Sequence, residues 1–204
     1  MPTVAHYCRE YLHLTETFIY RVITHHRRYR PVVISRLKKH PERFPFEPVY
    51  SEQDAALLTH PWLWTMDRLA RRRGNPYWYL ERALRQERPS LLHAHFGFNG
   101  VDVMALSQRL GLPLVVSFYG VDASEFARKP EWQSAYRSLF DTAAAVIAEG
   151  SFMRNRLIRL GCPESKVRVV HIGVPPDEYP LARNGHAGTL RVLFCGRLIE
   201  KKGL

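Results

Sequence analysis

The 204-residue chain is 46% hydrophobic and 24% charged, a composition that supports one full-sized core and excludes a disordered polymer. Its 30 Lys and Arg outnumber 19 acids, and the formal charge of +11 favours an anionic partner such as nucleic acid, phospholipid or a phosphorylated small molecule. No nucleic-acid-binding motif accompanies that charge, no run reaches the ~18 apolar residues of a membrane span, and no basic-then-apolar leader opens the chain. A cytoplasmic protein is expected. Cys8, Cys162 and Cys195 lie far apart in or beside apolar stretches, and read as small core residues in a reducing compartment.

A short apolar strand is expected over Thr3–Cys8, then an amphipathic helix over Glu16–Arg28 with Phe18, Ile19, Val22 and Ile23 on one face. Pro31–Ser35 is a second strand, and this β-α-β opening favours a parallel sheet. Residues 36–50 read as loop with a short strand near Val49. Ser51–Arg88 reads as helix, broken at Gly74-Asn75-Pro76.

The alternation then becomes regular. Strands are expected at Leu91–His95, Leu114–Phe118, Ala144–Ala148 and Val167–Ile172, and helices at Gly100–Leu110, Trp132–Phe140 and Ser151–Leu160. Ser151 suits a helix cap and Gly161 a left-handed stop. Continuous apolar strands such as LVVSF imply burial on both faces, hence an α/β, doubly wound parallel sheet. Pro175–Gly188 has linker composition, and Leu190–Cys195 starts a further buried-type strand. The expected organisation is a Rossmann-like domain over 1–175, a linker over 176–189, and the start of a second domain over 190–204.

Ligands of open parallel sheets bind beyond the carboxyl ends of the strands, so the loops there are the candidate sites. REYLHLTE leads into a helix start at Thr15, Glu16 and Thr17, where free amides attract anions and hydroxyls, or where a threonine simply caps. In HAHFGFNG, His93 and His95 face one side, and Gly97 and Gly100 let backbone approach a ligand closely. The H-x-H pair has no third metal ligand nearby in sequence, so no metal is expected, and the two imidazoles read as hydrogen-bonding groups for a sugar or acceptor or as plain structural histidines. In SFYGVDAS, Gly120 permits a sharp turn, and Asp122 puts a carboxylate at the strand tip, as a base, a hydroxyl acceptor or an Asx turn. In GRLIEKKG, Arg197 and Lys202 would set two cations over a strand end, suited to a diphosphate. No Asp-x-Asp clamp, P-loop, nucleophile elbow or dinucleotide fingerprint occurs.

YLHLTETFIYRVI, HAHFGFNGVD, LVVSFYGVDAS, VIAEGSFMRNRLIRLGCPESKVRVVHIGV and LFCGRLIEKKG together resemble, in order, the motifs of family 4 glycosyltransferases of the exopolysaccharide and colanic-acid branch. The resemblance implies a retaining, metal-independent enzyme of two facing Rossmann-like domains with no cofactor. It moves a sugar from a nucleotide-sugar donor to a saccharide or lipid-linked acceptor in cell-surface polysaccharide biosynthesis. It places Arg9–Thr17, His93–Gly100 and Tyr119–Asp122 on the acceptor side, with Asp122 as the catalytic candidate, and Arg197 and Lys202 on the donor diphosphate. Two departures stand out: Tyr119 occupies the place where the family often has His, and Val174-Pro175-Pro176 follows HIG where Asp is usual. The family's donor-holding E-x7-E pair is not in the sequence, so the chain alone is expected to be inactive, or to serve only in binding acceptor or an anionic membrane. Trp62, Trp64, Tyr77, Trp78 and Tyr79 among Arg68, Arg71, Arg72 and Arg73 suit peripheral contact with the inner membrane face, or else a buried aromatic core beneath exposed arginines.

Overall fold

A computed structural model describes residues 1–56, 61–174, 192–194, 196 and 198. The chain divides into Met1–Gly173 and Val174–Leu204. The first unit carries all the regular structure among the described residues. Val192, Leu193 and Phe194, expected in a strand, are exposed and unladdered, while the rest of Leu190–Cys195 except these three lies outside the described residues.

The strands are β1 (Thr3–Tyr7), β2 (Glu10–Tyr11), β3 (Arg30–Ser35), β4 (Leu37–Lys38), β5 (Val49–Ser51), β6 (Leu91–His95), β7 (Leu114–Phe118), β8 (Ala145–Ala148) and β9 (Val167–Val169). The helices are α1 (Thr17–Thr24), α2 (Glu52–Ala56), α3 (Pro61–Arg72), α4 (Trp78–Glu87), α5 (Gly97–Leu110), α6 (Val121–Ser124), α7 (Pro130–Thr142) and α8 (Ser151–Arg159). Seven strands form one parallel sheet in the order β5-β3-β1-β6-β7-β8-β9. From β1 the chain moves outward one way through β3 and β5, then returns to lay β6 on the other side of β1. The sheet therefore reverses direction between β1 and β6, which is where open α/β sheets bind ligands.

Right-handed crossovers running in opposite directions put their helices on opposite faces. Ile19 and Ile23 of α1 pack with Val33 and Val49 on one face. On the other face, Leu80 and Leu84 of α4, Val103 and Leu106 of α5, Tyr136 and Leu139 of α7, and Leu157 of α8 pack with Ala5, Val116 and Val146. The doubly wound reading holds.

Several boundaries differ from expectation for local reasons. Helix α1 ends at Thr24, not Arg28, where the Thr24 hydroxyl donates to the Tyr20 carbonyl at 2.9 Å. Helix α5 begins at Gly97 rather than Gly100, because its first N–H finds an acceptor on a different loop, described below. Ser151 does not cap α8; Gly150 holds that position and no side chain caps it, while Gly161 does take a left-handed φ of +100°. Strand β9 stops at Val169, not Ile172, since it is the sheet's edge and the following residues are exposed. The small parallel pair of β2 with β4, Glu10 opposite Leu37, is a feature the sequence did not signal.

Candidate functional site

A cavity of about 330 Å³ lies at the reversal point of the sheet. Its walls are Cys8, Arg9, Glu10, His13 and Glu16 from the segment after β1, Ile19 of α1, Phe96 from the turn after β6, Phe98 and Asn99 from the start of α5, and Phe126 and Trp132 ahead of and within α7. The β2–β4 pair holds the first wall in place: Arg36 and Leu37 donate their N–H groups to the Arg9 carbonyl at 2.9 and 3.2 Å, and Lys39 to that of Tyr11 at 2.6 Å. The loop closes on itself where the His13 N–H donates to Glu16 Oε2 at 3.0 Å. Desolvation raises the Glu16 carboxyl above its ordinary range, with that His13 bond opposing it.

The opposite wall is aromatic. Phe96 stacks on Phe98 at 5.1 Å, Phe98 tilts on Phe126 at 5.2 Å, and Phe126 meets Trp132 edge-on at 4.9 Å. Phe96 holds a positive φ of 75°, a conformation that costs a non-glycine residue about 1–3 kcal/mol and concentrates at functional sites. Asn99 is buried; its Nδ2 donates to the His95 carbonyl at 2.6 Å, and its Oδ1 has no partner among the described residues. A cavity with an aromatic wall and a few convergent polar groups suits a small polar organic ligand.

The expected site residues separate into three groups. Glu16 lines the cavity, whereas Thr15 and Thr17 are exposed outside it and cap nothing, Glu16 standing at the cap position of α1. Gly97 and Gly100 give close approach to the protein itself rather than to a ligand. A methyl on Gly97 would overlap the Phe118 ring, and one on Gly100 would lie 2.9 Å from Val116 Cγ1. Gly120, with φ of 129°, does make the sharp turn after β7. Arg197 and Lys202 lie outside the described residues.

Asp122 is fully buried, and its carboxylate is already occupied. It accepts from the backbone N–H groups of Gly97 at 2.9 Å, Gly120 at 2.9 Å, Ala123 at 3.0 Å and Tyr119 at 3.2 Å. Desolvation raises its carboxyl while these four donors pull the other way. The group facing it is all donor, so it stands as a carboxylate that ties two loops together. The sequence allowed a base, a hydroxyl acceptor, or an Asx turn or helix cap; here the carboxylate accepts from backbone N–H groups of its own turn and of the neighbouring loop.

His93 and His95 do face one side, as strand periodicity requires, and there they meet His6 of β1. Tyr119 OH and His95 Nδ1 are 2.8 Å apart, His95 Nε2 and His6 Nδ1 3.0 Å, and His6 Nε2 and His26 Nε2 2.9 Å. Ser117 Oγ lies 2.8 Å from His93 Nε2. Burial pulls His93 down to about 4 and holds His6 and His95 well below the usual imidazole range, with neighbouring rings adding to the effect. Burial likewise pushes the Tyr119 phenol up, so it stays neutral. Sequence reading put the span His93–Gly100 on the acceptor side without singling out Phe96, Phe98 or Asn99, and it missed Phe126 and Trp132. The signal present was the aromatic density of HFGF and of the segment running from Phe126 to Trp132.

The model of Glycosyltransferase Family 4 matches residues 15–178. The amylovoran biosynthesis glycosyltransferase AmsK of Erwinia amylovora is 32% identical over 113 residues, covering 54% of this chain and 28% of the relative. The crystal structure of Anabaena Alr3699/HepE in complex with UDP-glucose superposes with a TM-score of 0.67 at 15% identity, covering 90% of this chain and 47% of that one. A UDP-N-acetylglucosamine 2-epimerase from Rickettsia bellii superposes with a TM-score of 0.53 at 12% identity, over 82% of this chain and 44% of that one. These two likenesses show the fold alone. The chain spans under a third of the length of the curated relative and about half of each solved structure. With a family match over most of its length, and the loops of its sheet reversal gathered around one cavity, the chain belongs to Glycosyltransferase Family 4.

Proposed function

We propose that this domain is the acceptor half of a retaining glycosyltransferase that moves a sugar from a nucleotide-sugar donor to a saccharide or lipid-linked acceptor in cell-surface polysaccharide biosynthesis. The observation that carries the reading is Asn99 Oδ1, a buried acceptor without a partner among the described residues, beside an aromatic wall at the reversal of the sheet. In this reading the aromatic faces take the C–H surface of an acceptor sugar, and Asn99 Oδ1, Glu10 and Glu16 accept its hydroxyls. Asp122 is a positioning residue that holds the Gly97 and Gly120 turns. Arg197 and Lys202 hold the donor diphosphate, whose charge grows as the glycosidic bond breaks. The reaction needs no dissociable cofactor.

The test uses the full-length enzyme with Asn99→Ala and Trp132→Ala. Both should raise KM for acceptor about tenfold, the loss of one good contact, and leave KM for donor near wild type. Unchanged acceptor KM in both folded variants would defeat the assignment of this cavity.

A second element of the reading is peripheral contact with the anionic inner membrane face. Trp62, Met66 and Leu69 form an exposed stripe at i, i+4, i+7 along α3, with Arg72 and Arg73 exposed at its end. Arg82 lies 5.4 Å over the Trp62 ring. Tyr77 and Tyr79 do not share in this surface, being half-buried against the core, and Arg71 is paired with Glu52 and Asp67. The side chain of Trp64 lies outside the described residues. Among the described residues no helix is long and apolar enough to cross a membrane. Flotation should carry the protein with anionic liposomes and not with zwitterionic ones; equal behaviour in the two would sink this element.

A further inference from the structure

We propose that His6, His93 and His95 form a transition-metal site of the zinc class, buried on adjacent strands of the sheet and separate from the donor chemistry. Strand β1 contributes His6 and the neighbouring strand β6 contributes His93 and His95, with His6 directly opposite His93 in register. One ligand atom from each ring can be chosen so that all lie within 4.8 Å of one another. Ring centroids are 5.2 Å apart for His6 with His93, 5.2 Å for His6 with His95, and 4.4 Å for His93 with His95. His6 Nδ1 and His95 Nε2, 3.0 Å apart, need to open only slightly to the about 3.3 Å that separates two nitrogens bound tetrahedrally at Zn–N of 2.0–2.1 Å.

The outer contacts have the form a metal site requires. A ligating imidazole ordinarily has its second nitrogen held by another group, which fixes tautomer and ring orientation. His6 Nε2 is held by His26, and His95 Nδ1 by the Tyr119 hydroxyl. Imidazole suits zinc, copper and nickel rather than magnesium or calcium. Three nitrogens leave one coordination position to solvent or a neighbouring hydroxyl. Nothing in the transferase reading asks for this ion, so the proposal stands or falls independently of it.

The test is metal uptake by the 204-residue protein, unfolded with chelator and refolded with Co²⁺ or Zn²⁺ so that burial does not block entry. Refolded wild type should hold about one Co²⁺ per chain, with the intense visible bands of a four-coordinate ion, and Zn²⁺ should displace it. His6→Phe and His93→Gln should each lose uptake while keeping the wild-type far-ultraviolet dichroism, and His40→Ala, changed at a histidine far from the cluster in sequence, should retain it. If wild type folds yet holds no ion, Tyr119, His95, His6 and His26 are only a hydrogen-bonded chain and the proposal is overturned. Undiminished uptake in folded His6→Phe and His93→Gln overturns it equally.

Discussion

The carboxylate of Asp122 holds the backbone N–H of Gly97 at 2.9 Å, across 25 residues of chain and between two neighbouring strand ends. That one bond starts helix α5 and clamps the turn after β6 to the turn after β7. The same carboxylate closes its own turn through Gly120 and Ala123. A side chain so occupied fixes the relative position of the two loops.

Removing it should therefore show first in stability. Asp122→Ala strands four backbone N–H groups, those of Gly97 and Ala123 buried and those of Tyr119 and Gly120 partly so, and should lower the unfolding free energy by about 3 kcal/mol, the cost of losing a charged acceptor in the interior. Asp122→Asn should be nearly as damaging, because its amide presents donors to donors. Chemical denaturation checks both; a loss under about 1 kcal/mol would contradict the clamp.

Gly97 and Phe118 make a steric prediction. Gly97→Ala pushes a methyl into the Phe118 ring and should cost about 1–3 kcal/mol by overpacking. Phe118→Leu, harmful alone through the cavity it leaves, should recover part of that loss in the double variant. A double-mutant cycle with no favourable coupling would place the role of Gly97 elsewhere.

Asp102 gathers three elements. Arg36 grips it through Nη2 at 2.7 Å and Nε at 3.2 Å, Tyr7 donates its hydroxyl to Oδ2, and Tyr77 donates to its backbone carbonyl at 2.5 Å. The pair is only partly shielded from solvent, so Asp102→Ala should cost about 2 kcal/mol, below the value for a fully buried pair. Arg36→Ala combined with Asp102→Ala should cost less than the sum of the two, and thermal unfolding of the three variants measures the difference.

Acid stability should depend on Glu87. Desolvation works to raise its carboxyl, but hydrogen bonds from Tyr50 and Arg30 outweigh this and hold it below the ordinary range. A folded pKa below the unfolded one means that the unfolded chain binds the proton more readily in acid. The stabilisation is therefore complete above the unfolded pKa of about 4.3 and disappears as pH falls through the folded value. Glu87→Gln should flatten that part of the curve of unfolding free energy against pH. An unchanged slope in the variant would assign the acid transition to other carboxylates.

Much of the fold was legible because parallel strands buried on two faces must be apolar throughout. LVVSF declares Leu114–Phe118, and Leu91–His95 is found to the residue, while helix ends slip by a turn where the deciding contact is remote. Nothing local in GFNG announces a helix start. The acceptor for the first N–H of α5 is Asp122, which no window around Gly97 contains. Likewise HAH offers two imidazoles, and the third, His6, is 87 residues away from His93 in the chain and directly beside it in the sheet.

By itself, the order of motifs and the alternation of apolar strands with amphipathic helices determined a family 4, Rossmann-like sheet whose ligand loops sit at the strand tips. Only the tertiary structure decided which side chains those loops present. It turned Asp122 inward to backbone amides, buried His93 and His95 against His6, and opened Asn99 and four aromatic rings to the cavity. The physical reason is that apolar periodicity is set by neighbours along the chain, whereas the partner of a polar group is set by whichever strand the crossover lays beside it.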